Sequence, residues 1–206
     1  MKYTVRRVLP GEYHKYRTHL LALDDDSKLL RFGFNINEST LNKLCDGFEQ
    51  LPTQHVLFCV EDAMLNFIAV GHVARGEPME LAFSVLKEYQ GQGIGDALMK
   101  RCIRYCRTHK ILSGYMVCLS RNAAIKHLAV KNRMTLHADG VETEANVEFA
   151  EPRISTYINE GIAINSAVID YMGKRALLPW TLATKTLDDF NKVRQQNGHE
   201  QTSPTP

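Results

Sequence analysis

The sequence predicts a mixed α/β fold, a mainly antiparallel sheet with a parallel strand pair at its centre, followed by a helical C-terminal extension. Three observations carry the prediction. His55–Val60, Asn66–Val73 and Met79–Leu86 are consecutive strand-like runs joined by tight turns at Glu61-Asp-Ala63 and Arg75-Gly-Glu-Pro78, the pattern of an antiparallel meander. A glycine-rich turn, Gln90-Gly-Gln-Gly-Ile-Gly-Asp96, then opens directly into an amphipathic helix. Tyr115–Leu119 reads as the following strand, and a strand reached through a crossing helix lies parallel to the one before it.

The remaining elements follow from local signals. Residues 2–9 read as a first strand ended by Pro10-Gly11, and Glu12–Leu23 as a helix with Tyr13, Tyr16, Leu20 and Leu23 on one side. Asp24-Asp-Asp-Ser27 ends that helix and offers a cap for the next turn. A helix starting at Glu38 or Ser39 buries Leu41, Leu44, Cys45 and Phe48. Beyond the strand at Tyr115–Leu119, a helix from Asn122 to about Asn132 turns Ile125, Leu128 and Ala129 inward. Met134–Ala138 and Ala145–Phe149 close the domain as a hairpin around Asp139-Gly140. The domain is therefore expected to span residues 1–150. Residues 151–197 form a helical extension, read as one helix over Tyr157–Tyr171 and a second from Leu182, separated by a packed turn at Leu177-Leu-Pro-Trp180. The extension either covers its own domain, makes a homodimer contact or closes over the acceptor site. Residues 198–206 are expected to be disordered.

Composition narrows the class. Hydrophobic residues at 44% and charged residues at 23% are those of a soluble globular chain, and a net charge of +2 gives no ground for a nucleic-acid or membrane partner. No apolar run approaches the ~20 residues of a membrane span, and the start Met1-Lys-Tyr-Thr-Val-Arg-Arg7 lacks a secretory apolar region, so a cytoplasmic protein is expected. Five cysteines, an odd number set in apolar patterns, suit a reducing compartment. Cys102, Cys106 and His109 share a helix face, but no second pair of ligands with zinc spacing accompanies them. Both cysteines fall on the stripe of Ile94 and Leu98, so they are read as core and no metal is expected.

The chemistry resides in residues 80–96. Gly91, Gly93 and Gly95 remove every Cβ where the chain turns, so successive N–H groups can point into one concavity at a helix N-terminus, which favours phosphate. The dinucleotide fingerprint G-x-G-x-x-G fails here, because Asp96 or Leu98 stands where its last glycine belongs, and no Gly-Lys-Ser/Thr closes a P-loop. The pattern met by Gln90, Gly93 and Gly95 is Gln/Arg-x-x-Gly-x-Gly/Ala. In its setting of strand, turn and basic helix it resembles the acetyl-coenzyme A (acetyl-CoA) site of the GNAT superfamily of N-acetyltransferases. Asn122, Ile125, Leu128 and Lys131 extend the likeness past the next strand, although Arg133-Met134 replaces the family's Gly-Phe ending. The resemblance covers about residues 2–150, with specific motifs over 80–134. More loosely, Asp26-Ser-Lys-Leu-Leu-Arg-Phe32 resembles a Ser-Arg-Tyr/Leu-x-Arg-Phe segment of some bacterial members, including those that acetylate protein lysines.

That resemblance implies a GNAT fold whose central parallel strands splay around the pantetheine arm. It places the diphosphate on the amides of Gln90, Gly91, Gln92, Gly93, Ile94, Gly95 and Asp96, the pantetheine on Asn122, and the oxyanion on backbone N–H groups of Phe83, Ser84 and Val85. Met79-Glu80-Leu-Ala-Phe83 matches strands whose glutamate is the proposed general base, so Glu80 is either that base, with its pKa raised among apolar neighbours, or a carboxylate that binds substrate or forms a salt bridge. The family's usual acidic tyrosine falls on Ala129, which leaves the thiolate to solvent or another group. Lys100, Arg101, Arg104 and Arg107 either meet the nucleotide's 3′-phosphate or are solvated. The implied activity is transfer of an acetyl group from acetyl-CoA to a primary amine of a small molecule. The alternatives are a protein lysine as acceptor, or a non-catalytic CoA-binding module.

Overall fold

The computed structural model describes residues 3–200. Seven strands, β1 (Arg6–Arg7), β2 (His55–Glu61), β3 (Phe67–Ala74), β4 (Met79–Val85), β5 (Ser113–Leu119), β6 (Thr135–Asp139) and β7 (Glu142–Glu148), form one sheet in the order β1-β2-β3-β4-β5-β7-β6. Every pairing is antiparallel except β4 with β5. Six helices, α1 (Tyr13–Ala22), α2 (Asp25–Phe32), α3 (Glu38–Gln50), α4 (Ile94–Thr108), α5 (Ala123–Lys131) and α6 (Ile154–Glu200), complete the chain. The expected mixed α/β architecture is the observed one.

Both faces of the central strands are buried, which is why β2 and β3 read as continuous apolar runs rather than alternating ones. On one face Leu98, Met99, Cys102 and Cys106 of α4 pack on Phe58, Val60, Val73 and Leu81. On the other, Tyr16 and Leu20 of α1 and Leu41 and Cys45 of α3 pack on Leu57, Cys59 and Val70. Cys102 and Cys106 are thus core residues, and burial pushes the Cys106 thiol up to about 12.

Two elements near the N-terminus depart from expectation. The first strand forms a ladder only at Arg6 and Arg7, opposite Cys59 and Phe58 of β2. The Asp24–Ser27 run starts a helix as well as ending one. Asp24 Oδ1 accepts from Ser27 N (2.8 Å), and α2 runs on to Gly33, which ends it in the left-handed conformation (φ 80°).

The extension also differs. Instead of two helices and a turn, α6 is one helix of 47 residues that passes through Pro179, about 70 Å at 1.5 Å per residue. Pro179 withdraws one N–H from the ladder, and the Thr181 hydroxyl donates to the Leu177 carbonyl beside it (3.1 Å). Gly198–Glu200 continue the helix, and 201–206 lie outside the described residues. The basic face of α4 is the seat of this extension. Arg101 pairs with Glu160 (2.8 Å), Arg104 donates to Asn159 O (3.3 Å), and Arg107 to the carbonyls of Ala150 (3.0 Å) and Glu151 (3.2 Å). Arg101 is therefore buried against the extension, while Arg104 and Arg107 stay half-exposed and spend hydrogen bonds on its backbone and on the chain leading to it. At about 100° per residue, Ile158, Ile162, Ile169, Met172, Trp180 and Leu187 fall on the side of α6 away from the buried Thr156 and Ala167, and they are exposed. Among the described residues no helix is long and apolar enough to cross a membrane.

Candidate active site

The site begins where the sheet stops being a sheet. β4 and β5 pair at Met79 with Gly114 and at Glu80 with Tyr115, and no further. Beyond those two pairs β5 stays with β7 and β4 with β3, so a wedge opens between them. Leu86 N–H donates to Ile68 O on β3 (3.0 Å). Strand alternation then turns the backbone groups of Val85, Phe83 and Leu81 to the opposite edge, into the wedge. Ser84 does not share this role. Its N–H faces β3, and its hydroxyl lies 2.8 Å from His19 Nε2 on α1.

At the wide end of the wedge the chain forms the glycine cradle. Gly91 (φ 72°) and Gly93 (φ 82°) are left-handed, and a Cβ at either would meet nothing within 4 Å, so the concavity there is open. Gly95 has another reason: its Cβ would come within 2.9 Å of Leu128 Cδ1, so its absence lets α5 approach α4. Ile94, buried in the core, anchors the first turn of α4, whose N–H groups have no intrahelical acceptor. Gln90 ties the parts together, donating from Nε2 to Val85 O (3.1 Å) and Ser27 Oγ (3.3 Å). Gln92 donates to Glu88 O (3.1 Å) and accepts from the Tyr3 hydroxyl. A carboxylate at Asp96 would repel phosphate if left alone. Burial pushes its pKa up, but hydrogen bonds from Lys100 (2.8 Å), Lys131 (3.0 Å) and Asn132 (3.2 Å) outweigh that and hold it at about 2.

Cradle and wedge open into one cavity of about 530 Å³, bounded by residues 81–85 of β4, 116–118 of β5, the starts of α4 and α5, and α2. That is the size of a small-ligand site. Asn122 lines it and caps α5 through Oδ1 (3.2 Å from Ile125 N), and its Nδ2 has no partner among the described residues. Of the residues named from the sequence, Phe83, Ser84, Val85, Gln90, Gly91, Gly93, Ile94, Gly95, Asp96 and Asn122 line this cavity.

Glu80 stands apart from it. Its side chain is exposed, so the expected burial among apolar neighbours does not occur. By alternation it projects on the same face of β4 as Ser84, the face covered by α1. Its charge acts on Tyr16, His55 and Tyr115, which places it beside them. Ala129 is fully buried in the core, so the α5 position that resembles the family's acid has no access to the cavity.

Three features on the α1 side had no clear signal in the sequence. His19 Nδ1 lies 2.9 Å from Phe67 O, so that nitrogen carries the proton and Nε2 accepts from the Ser84 hydroxyl. Burial holds His19 at about 4. His72 and His55 form a ring pair, Nε2 to Nδ1 3.0 Å, and both are held below the ordinary histidine value, chiefly by burial. Arg31, in the last turn of α2, lines the cavity. Isolated histidines and arginines in a sequence carry no such information, because their partners lie tens of residues away.

A cradle of free amides at a helix N-terminus, continuous with a wedge edged by unpaired strand N–H groups, suits a long phosphate-bearing ligand. Residues 52–132 match the family model described as an acetyltransferase (GNAT) domain. That stretch carries a GNAT domain, and the fold around it is a GNAT fold. Its fold is similar to that of the GNAT domain of S. lividans PAT, with a TM-score of 0.57 at 17% identity over 70% of this chain and 89% of that one. A GNAT-family acetyltransferase from Staphylococcus aureus Mu50 has a TM-score of 0.59 at 12% identity, covering 72% and 99% of the two chains. Spermidine N-acetyltransferase from Vibrio cholerae, solved with CoA and spermine, has a TM-score of 0.56 at 16% identity, covering 76% and 98%. No curated protein sequence matches.

Proposed function

We propose that this chain transfers the acetyl group of acetyl-CoA to a primary amine of a small molecule in the cytoplasm. The observation that carries the proposal is the single cavity that joins the open glycine cradle to the wedge. The residues fit the donor. The amides of residues 90–96 meet the diphosphate, with Asp96 neutralised by two lysines, and Asn122 Nδ2 meets the pantetheine. Bound acetyl-CoA supplies the activated acetyl carbonyl. The N–H groups of Phe83 and Val85, turned into the wedge, stabilise negative charge developing on that carbonyl's oxygen.

A protonated amine has to lose a proton before it attacks. Glu80, exposed on the acceptor side, takes that proton through water. CoA thiol has a pKa of about 8.5, like free cysteine, so the departing thiolate is protonated by solvent where Ala129 offers no acid. α2 closes the acceptor side through the Gln90–Ser27 contact, which favours a small acceptor over a protein lysine. Five free, buried cysteines support a reducing compartment. Burial of Ala129 and exposure of Glu80 favour the second reading, a CoA-binding module without turnover.

The test is thermal unfolding with and without acetyl-CoA, with Gly93→Glu filling the cradle as control. Ligand at about 100 times its dissociation constant adds roughly 2.7 kcal/mol. A stabilisation in the wild type that is absent from the folded control supports the donor site, and no stabilisation in either removes it. An acceptor screen by thiol release then separates enzyme from module. Glu80→Gln is expected to bind acetyl-CoA normally and lose most of its turnover; full activity removes Glu80 as the base.

A further inference from the structure

We infer that the acceptor carries a carboxylate beside its amine and that Arg31 receives it, an inference that rests on the proposed acetyl transfer. Arg31 is a half-buried cation on the cavity wall, and among the described residues no carboxylate pairs with it. The acids of its own segment are committed elsewhere: Asp24 pairs with Lys87 (2.9 Å) and Asp26 with Arg121 (3.1 Å). What Arg31 does touch is weak. Its Nη2 lies 3.5 Å from the Tyr16 hydroxyl, and its guanidinium sits 5.0 Å from the centre of the Phe32 ring. A guanidinium has five donors in a planar fork that matches a carboxylate two bonds at a time. Removing it partly from water without an anion is unfavourable. The fold tolerates that arrangement at a cavity wall, where an incoming anion completes it.

Position decides which anion. Ser27 of α2 touches Gln90 at the cradle, and Arg31 lies one turn further along, about 6 Å at 1.5 Å per residue. Its contact is Tyr16, whose ring packs edge-on against His72. His72 is the register partner of Ala82 on β4. Arg31 therefore stands at the level of the wedge N–H groups and on the α1 side, the face that also presents Glu80. Its positive field reaches His19 and His72, adding to the burial that keeps both neutral. A cation and an exposed carboxylate on one face suit a zwitterion, with the carboxylate at Arg31 and the ammonium directed toward Glu80. A polyamine would instead bring positive charge against the guanidinium. The substrate class is thus an amino acid or a comparable small aminocarboxylate.

The experiment compares a panel of α-amino acids with their carboxamides, which lack this charge and have a less basic amine, in wild type, Arg31→Gln and Arg31→Lys, with binding as the deciding readout. Two readouts are taken: thiol release with acetyl-CoA, and calorimetric binding of each acceptor to the protein saturated with CoA, which needs no turnover. In the wild type the best amino acid is expected to exceed its amide by about 10- to 100-fold, the range for a hydrogen bond to a charged group. Arg31→Gln is expected to abolish the preference and Arg31→Lys to retain part of it, with stabilisation by CoA unchanged in both. Equal binding of acid and amide by the wild type overturns the inference. So does a loss of CoA stabilisation in Arg31→Gln, which would assign the residue to the donor. A binding preference without thiol release would keep the carboxylate site and refute the transfer reaction.

Discussion

Lowering the pH should unfasten α1 from β4 through one buried histidine. His19 holds the two together: Nδ1–H donates to Phe67 O and Nε2 accepts from Ser84. Its ordinary value is 6.5 and burial depresses it to about 4. The unfolded chain therefore binds a proton below pH 6.5 that the folded one refuses, so this contribution is complete above 6.5 and is lost as pH falls toward 4. At 1.36 kcal/mol per pH unit the gap is worth about 3 kcal/mol in full, and about 2 kcal/mol of it is gone by pH 5. Urea unfolding of the wild type and of His19→Gln, at intervals from pH 7.5 to 4.5, measures it. The glutamine can donate to Phe67 and accept from Ser84 but does not titrate in this range. His72 titrates in both proteins and cancels in the comparison. The wild type is expected to lose about 2 kcal/mol more than His19→Gln between pH 7.5 and 5. Parallel curves would show that His19 ionises in the fold without penalty, and would refute the closed packing described around it.

Gly71→Ala should lower stability by about 1–3 kcal/mol, because its Cβ would lie 2.9 Å from Cys102 Sγ and 3.3 Å from the Phe83 ring; a denaturant melt checks it, and a displaced Phe83 should weaken acetyl-CoA binding as well. Glu160→Ala leaves Arg101 buried at 6% exposure, with Nε already lacking a partner, so about 3 kcal/mol should be lost and proteolysis near residues 150–153 should quicken. Ile169→Glu, 74% exposed on the outer side of α6, should change monomer stability by less than about 0.5 kcal/mol. A loss in that variant that grows with protein concentration would show that the outer face is covered in solution.

The glycine cradle was legible in the sequence because backbone makes it. A cradle needs glycines at set spacing before a helix, and that need is written directly as Gly91, Gly93 and Gly95. The parallel strand pair was legible for a similar reason, since a crossing helix permits one strand direction. The acceptor half depends on side chains from separate elements. Arg31 looks like any helical arginine until α2 is laid across β4, and Glu80 looks buried until the strand's end proves exposed. The partners of the α4 arginines, Glu160 and the carbonyls of residues 150, 151 and 159, lie more than 40 positions away, so local sequence does not pair them. Pro179 reads locally as a break, yet one missing N–H costs a helix of this length a single bond among dozens.

The position of α6 bears on the choice between a clasp and a lid. None of its described residues lines the cavity. Its polar grips are Arg101 and Arg104 at one end, while further along Lys174 donates to Glu61 O (3.0 Å) and the Tyr171 ring lies 4.6 Å from the Arg6 guanidinium. Arg6 is itself the centre of a buried ionic cluster, bonded to Glu12 (2.7 Å) and to Glu61, with Lys15 3.2 Å from Glu12. Those charges have left water, and with them stand the first strand and the start of α1. A helix that screens this cluster and seats the arginines of α4 secures the edge of the sheet remote from the wedge. A lid has to move with each turnover, whereas releasing α6 would break the Arg101–Glu160 pair and the Arg104 and Lys174 hydrogen bonds together. The contacts of its described residues therefore fit a clasp that stays in place better than a lid.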